Sequence, residues 1–379
     1  MPIPLSIQLY ERGALGRPST TALPELRERI DSYTHTITDQ FGFESMSVPF
    51  TCGLDEALEW LTNGLMRSVV VVDPDARTVW EGYLHTIRAT IGQKTIVLSL
   101  DGMANRVTCL YTTTYGIAGT TSATSSAASQ ALYGVRDRIV SLQGDTSTAA
   151  ANKATVILAD LAFPKSREAT QAMTGDLGSV QLTLDFEGWY GTLGWVTTSR
   201  SSTTNTAIST QIAALINTSS PGIGATNNFL STETRNIKVI SNTATEKIEA
   251  GTTYRDKIEG LLKQGTGVLP VTWGVYDDRQ FYAVTWAGAT PTTITYQEMV
   301  GTSDVYDSVG NIVPPWLVRP NAMAQVVELL DVGPVSGTVD AAARKYVGRV
   351  TCSISGTAIG CTLEPSDIDT VDARLAAMR

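Results

Sequence analysis

The chain is short of the residues from which most enzyme centres are built. Two histidines, His35 and His85, and four cysteines, Cys52, Cys109, Cys352 and Cys361, serve 379 residues. Neither histidine stands in a metal-ligating spacing such as H-E-x-x-H, and no C-x-x-C occurs. Both lie in alternating segments and read as structural strand residues. G-x-S-x-G and Walker A patterns are also missing. Gly222-Ile-Gly224 lacks the preceding buried strand and the further glycine of a dinucleotide fingerprint. These patterns give no cofactor and no metal to expect.

Charge is scarce as well. Only 17% of residues are Asp, Glu, Lys or Arg, and acids outnumber bases 37 to 28, for a net charge of −9. Gripping a phosphate backbone needs clustered Lys and Arg, so a nucleic-acid-holding role is not expected. An acidic surface suits instead a polyanion that must pass without sticking. Long apolar runs are absent, so no membrane span is expected. Residues Met1 to Gly13 lack the basic-then-apolar layout of a secretory signal. Four cysteines are too few for a disulfide scaffold. Cys352 and Cys361 are symmetric about Gly356-Thr357 and would face each other across a hairpin. They read either as a bridge or as two reduced thiols, and synthesis in a cytoplasm favours the thiols.

What the chain does have is alternation. Trp80 to Thr90 and Lys94 to Asp101 alternate apolar and polar residues around Gly92-Gln93, the pattern of two half-buried strands and a tight turn. Ser68 to Asp73 and Thr78 to Gly82 flank a second turn, Asp73-Pro74-Asp75. Four successive short strands predict a small β-barrel or sandwich. Further strands are expected over 3–11, Tyr33–Asp39, Phe43–Phe50, Val180–Glu187 and Asn236–Ser241, with Pro18–Leu23 as a loop. Hairpins are expected at Val271–Tyr276 with Gln280–Trp286, around the turn Asp277-Asp278-Arg279, and at Tyr346–Leu363.

Helical periodicity is limited to a few segments. Leu54–Leu65 carries an apolar stripe of Leu54, Ala57, Leu58, Leu61 and Leu65. Thr146–Ala162 has Thr146 as cap and Pro164 as terminator. Asn205–Asn217, Thr252–Leu262 and Asp367–Met378 are the others, while Gln130–Leu142 reads as helix or strand. Residues 112–126 and 218–236 read as loops. Leu98–Asp101 (LSLD) and Leu182–Asp185 (LTLD) are each followed by a Thr/Ser-rich loop and an Ala-rich segment, an echo that suggests a duplicated barrel.

One carboxylate pair merits an enzymatic reading. Asp185 and Glu187 lie on one strand face beside Trp189, Tyr190 and Trp195, and a glycosidase needs two carboxyls and aromatic faces. Such aromatics more commonly anchor a core or a subunit interface, so no enzyme is expected.

The order of segments then resembles a family. Phe41–Val48 (FGFESMSV), the helix over 54–65, Val69–Asp73 (VVVVD) and Val79–Gly82 (VWEG) with its two alternating strands resemble the first barrel of phage tail-hub and related tail-tip proteins. Tyr133-Gly134-Val135-Arg136, followed by the Ala-rich helix ending at Pro164, looks like their Y-G-x-R segment. Val180–Gly188 and residues 252–286 are similar to the second barrel and the domain beside it. The resemblance spans residues 30–290 and implies a β-rich α+β fold with two small hub-type β-barrels and helical insertions. The domains would be 1–120, 121–178, 179–290 and 291–379. It implies a structural tail subunit, made in the host cytoplasm and carried in the virion tail. Its partners would be copies of itself, in a trimer or else a hexamer, together with tube, tip or fibre proteins, with genomic DNA passing through the channel. The structural or interface residues would be Trp80, Gly82, Tyr133, Gly134, Arg136, Trp189, Tyr190 and Trp195, with no catalytic residue. A carbohydrate- or receptor-binding tail module is the alternative, and a cell-wall hydrolase the third reading.

Overall fold

The computed structural model describes residues 5–24, 30, 32–92, 94–168, 179–198, 201–216, 229–231, 237, 243–248, 251–264, 271–285, 293–297, 305–306, 312–313, 323–327, 344–355 and 358–365. The expected strand at 236–241, beyond residue 237, the loop at 218–236, beyond 229–231, and the helix at 367–378 fall outside them.

The first part of the chain gives β1 (Ser6–Arg12), β2 (Pro18–Ala22), β3 (Ser32–Thr38), β4 (Gly42–Cys52), helix α1 (Leu54–Asn63), β5 (Ser68–Val72), β6 (Thr78–Ile91) and β7 (Lys94–Ser99). A smaller unit follows: β8 (Arg106–Thr112), β9 (Ala118–Thr120), β10 (Thr124–Ser125), α2 (Ala127–Tyr133), β11 (Asp137–Gln143) and α3 (Ser147–Leu161). Then come β12 (Ser166–Glu168), β13 (Val180–Glu187), β14 (Ser201–Ala207), α4 (Ile208–Ile216), β15 (Thr243–Ile248), α5 (Tyr254–Gln264), β16 (Val271–Tyr276) and β17 (Gln280–Thr285). The last strands are β18 (Thr293–Gln297), β19 (Val305–Tyr306), β20 (Ile312–Val313), β21 (Met323–Val327), β22 (Arg344–Ser355) and β23 (Ala358–Pro365).

β6 is the axis of the main sheet. One edge pairs with β5 along its first half and β7 along its second, and the other edge takes β13. β5 continues to β1 and β2. β13 continues through β4, β3 and β22 to β23. Alternation explains the result: Val180, Leu182, Leu184 and Phe186 of β13 are buried while the residues between them are not.

A second, smaller core lies under α3. Val107 and Cys109 of β8 meet Ala150, Ala154 and Leu158 of the helix. The two alanines on that face let the helix lie close to the sheet. β11 runs parallel to β8, so α2 and its flanking segments form the crossover. Thr146 caps α3 by accepting from Ala149 N at 3.2 Å.

Several expectations need correction. Pro18–Ala22, expected as loop, is a strand, and Leu23 N bonds to Leu9 O at 2.8 Å. Proline is tolerated there because it opens the strand. Short strands β9 and β10 interrupt the loop expected at 112–126. Gln130–Leu142 is both helix and strand, split where Gly134 takes φ 69°. α1 departs from its expected stripe at two positions: Ala57 and Leu65 are buried and Leu61 packs on the core, whereas Leu54 and Leu58 are 40% and 50% exposed and Trp60 is buried instead. The Trp60 ring, larger than any leucine, packs against Phe50 at 6.1 Å and takes the core position. The fold is β-rich α+β with open sheets. Within the main sheet β13 lies between β4 and β6. Cys352 and Cys361 are directly opposite in the β22–β23 register and are disulfide-bonded, against the favoured reading of reduced thiols.

Candidate functional site

Of the eight residues singled out by sequence, Trp189 and Tyr190 lie on the 3-10 segment Trp189–Gly194 that follows β13, and Trp195 directly follows it. Trp189 and Tyr190 are neighbours in sequence but serve two different clusters.

Trp189 packs against Tyr83 of β6 at 5.1 Å between ring centroids, and against Phe229 at 5.9 Å. Trp195 meets Tyr83 at 5.3 Å and Phe229 at 5.2 Å, edge to face in both cases. The guanidinium of Arg136 lies 3.4 Å above the Trp195 ring, and its Nη2 reaches Met66 Sδ at 3.7 Å. Arg136 is buried, which lowers its pKa to about 10 against the opposing pull of Tyr83, Glu187 and Asp101. Tyr133 is buried under Arg12, whose guanidinium carbon is 5.3 Å from the ring centre.

The turn between Tyr133 and Arg136 is held by a residue the sequence reading missed. Asn105 is fully buried; its Nδ2 donates to Gly134 O at 2.7 Å and its Oδ1 accepts from Arg136 N at 2.8 Å. Asn105 stands in an unremarkable Ala-Asn-Arg run, so no local signal marks it. Gly134 also faces the Phe229 ring, and a Cβ there would come within 2.6 Å of it.

Tyr190 points the other way. Its hydroxyl accepts from Trp273 Nε1 at 3.1 Å and donates to Glu259 Oε1 at 3.1 Å, tying β16 to α5. Burial raises its pKa far above the usual phenol range. Phe41 covers the ring at 5.2 Å. Trp80 lies in the main core, donating Nε1–H to Thr36 O at 3.3 Å and packing on Phe43. Its ring folds over Gly82, where a Cβ would sit 2.4 Å from the indole and 2.3 Å from Glu187 O. The eight residues are thus interior packing, with only Trp195 half-exposed. They do not form an aromatic platform for a sugar.

The two candidate carboxylates are engaged by neighbours. Asp185 accepts from Ser47 Oγ at 2.8 Å and pairs with Arg88 at 2.9 Å. Glu187 accepts from the Tyr83 hydroxyl at 2.6 Å and lies 3.5 Å from His85 Nε2. Burial, then the Glu187 charge, pushes the Tyr83 pKa well above its ordinary value. His35 is buried and stacks on Tyr33 at 5.7 Å. Among the described residues, no group of three His, Cys, Asp or Glu side chains is placed to hold a metal ion. No helix among them is long and apolar enough to cross a membrane. A cavity of about 290 Å³ lies between β7 and the end of α3, near Met103, Arg138 and Phe163, and none of the eight residues lines it.

No protein-family model matches the chain, and neither does any curated protein. Solved structures do. A tail protein from Neisseria meningitidis aligns over 96% of this chain and 97% of its own, at 8% identity and a TM-score of 0.44. The 43 kDa tail protein of prophage MuSo2 from Shewanella oneidensis gives the same coverage and identity, with a TM-score of 0.42. An Escherichia coli type VI secretion component, described as structurally similar to the T4 tail proteins gp27 and gp5, covers 88% of this chain and 72% of its own at 10% identity, with a TM-score of 0.38. The chain is similar to phage tail proteins.

Proposed function

We propose that the chain is a structural subunit of a phage tail, a hub or tail-tip ring protein that joins the tail tube to the distal tip apparatus around a DNA channel. The observation that supports it most is the order of elements. The segments that resemble tail hubs, 41–48, 54–65, 69–73, 79–101 and 180–187, fold as β4, α1, β5, β6–β7 and β13 around one sheet. The role is mechanical rather than catalytic: the aromatic side chains lock interior segments together, and the candidate carboxylates serve as hydrogen-bond and ion-pair partners. An excess of acids, 37 against 28 bases, suits a lumen through which DNA moves without adhering. Three or six copies around the tube would meet through head-to-tail contacts closed by rotation.

Immunogold labelling of intact phage particles with antibody against this chain tests the location. Label confined to the distal end of the tail tube is the expected result. Label on the capsid, or no label on particles that contain the gene, would overturn the reading.

A further inference from the structure

A buried carboxyl on β6 belongs to none of the contacts above. Glu81 is 6% exposed and accepts a hydrogen bond from the backbone N–H of Arg279, at the tip of the β16–β17 hairpin. That tip is an unusual turn: Asp278 and Arg279 both have φ 58°, a conformation that costs non-glycine residues energy. Arg279 is also the anchor for a separate segment. Its Nη1 donates to Phe229 O at 2.9 Å, and its own carbonyl accepts from Ser231 N at 2.9 Å. Phe229 in turn fills the space between Trp189, Trp195 and Gly134. One hydrogen bond on Glu81 therefore lies at the root of a strap that covers the aromatic cluster.

We infer that Glu81 and Arg279 form a proton-controlled clasp, in which loss of the Glu81 proton loosens the 277–279 turn and the 229–231 strap from β6. Burial raises the Glu81 pKa to about 8, opposed by the Arg279 N–H and charge and reinforced by Asp277 and Asp278. The strap residues Phe229, Leu230 and Ser231 bring no ionisable group, nor does Val70 opposite Glu81 on β5. The sign follows from linkage. A carboxyl whose pKa is higher when the clasp is closed binds its proton more tightly there. The closed state gains fully below the ordinary carboxylate range, and the gain is lost as pH rises to about 8.

Hydrogen–deuterium exchange on the full chain, expressed as protection factors and read between pH 6 and pH 9, tests the clasp. Protection in peptides covering 271–285 and 229–231 is expected to fall by about tenfold or more over that range, while peptides from β13 hold theirs. Glu81→Gln keeps an acceptor for Arg279 N–H and removes the proton, so its protection is expected to stay flat with pH. The same fall in Glu81→Gln, or no fall in the native chain, would overturn the proposal. Should that variant fail to fold, the side-chain carboxyl carbon of Glu81, followed by NMR in the native chain, decides instead. A midpoint near 8 supports the clasp, and a midpoint in the ordinary carboxylate range refutes it.

Discussion

The Tyr83 hydroxyl donates to Glu187 across the seam between β6 and β13, at 2.6 Å. This bond joins two strands about a hundred residues apart in sequence and roots the Trp189–Trp195 cluster on the central strand. Tyr83→Phe keeps the ring contacts and removes the bond. A hydrogen bond to a charged group contributes about 1.5–3 kcal/mol, and Glu187 is partly solvated, so a loss near the lower end of that range is expected in urea unfolding. A loss within error of zero would show that water replaces the hydroxyl.

Gly82 and Gly53 make a contrasting pair. Gly82→Ala places a methyl against the Trp80 ring and Glu187 O, and overpacking of this kind costs about 1–3 kcal/mol or more. Gly53 caps α1 in an extended conformation with nothing within 4 Å of a Cβ. Gly53→Ser supplies the missing side-chain cap and is expected to raise stability by a few tenths of a kcal/mol. Midpoints of thermal unfolding for the two variants should move in opposite directions.

Arg136 is buried over Trp195 and acts as much through packing as through charge. Arg136→Ala is expected to cost about 3 kcal/mol, through the cavity and the uncovered indole. Arg136→Met fills the stem volume and should recover part of that loss. Equal stability of the two variants would contradict a packing role.

The Cys352–Cys361 bridge closes a short loop between β22 and β23. Reduction is expected to lower unfolding free energy by about 2.5 kcal/mol in the chain-entropy view. The double variant Cys352→Ser/Cys361→Ser should be indifferent to reductant. Intact mass after alkylation in denaturant checks the premise: two alkylated cysteines, Cys52 and Cys109, are expected before reduction and four after.

Much of the fold was legible because alternation is local. Trp80 to Thr90, Val180 to Glu187 and the hairpin around Asp277-Asp278 read as strands from their side-chain period, and Thr146 reads as a cap from its place before a helix. What was not legible depends on distant partners. Nothing in Val180–Glu187 says that it enters between β4 and β6, since any edge with a matching apolar face would satisfy its alternation. The exposure of Leu54 and Leu58 was hidden for a similar reason: leucines outnumber one tryptophan in the segment, yet Trp60 packs on Phe50 and takes the core position. Six of the site residues were marked by being Trp, Tyr or Arg in Gly-rich surroundings. Asn105 was not, because a buried asparagine is recognisable only from the backbone groups that it satisfies.

The most direct test of the central claim is the assembly state of the purified full chain, from light scattering together with negative-stain electron microscopy. A closed ring of three or six copies around a central pore is the predicted result. A monomer at every concentration, with no ring in the images, would contradict a ring-forming tail hub.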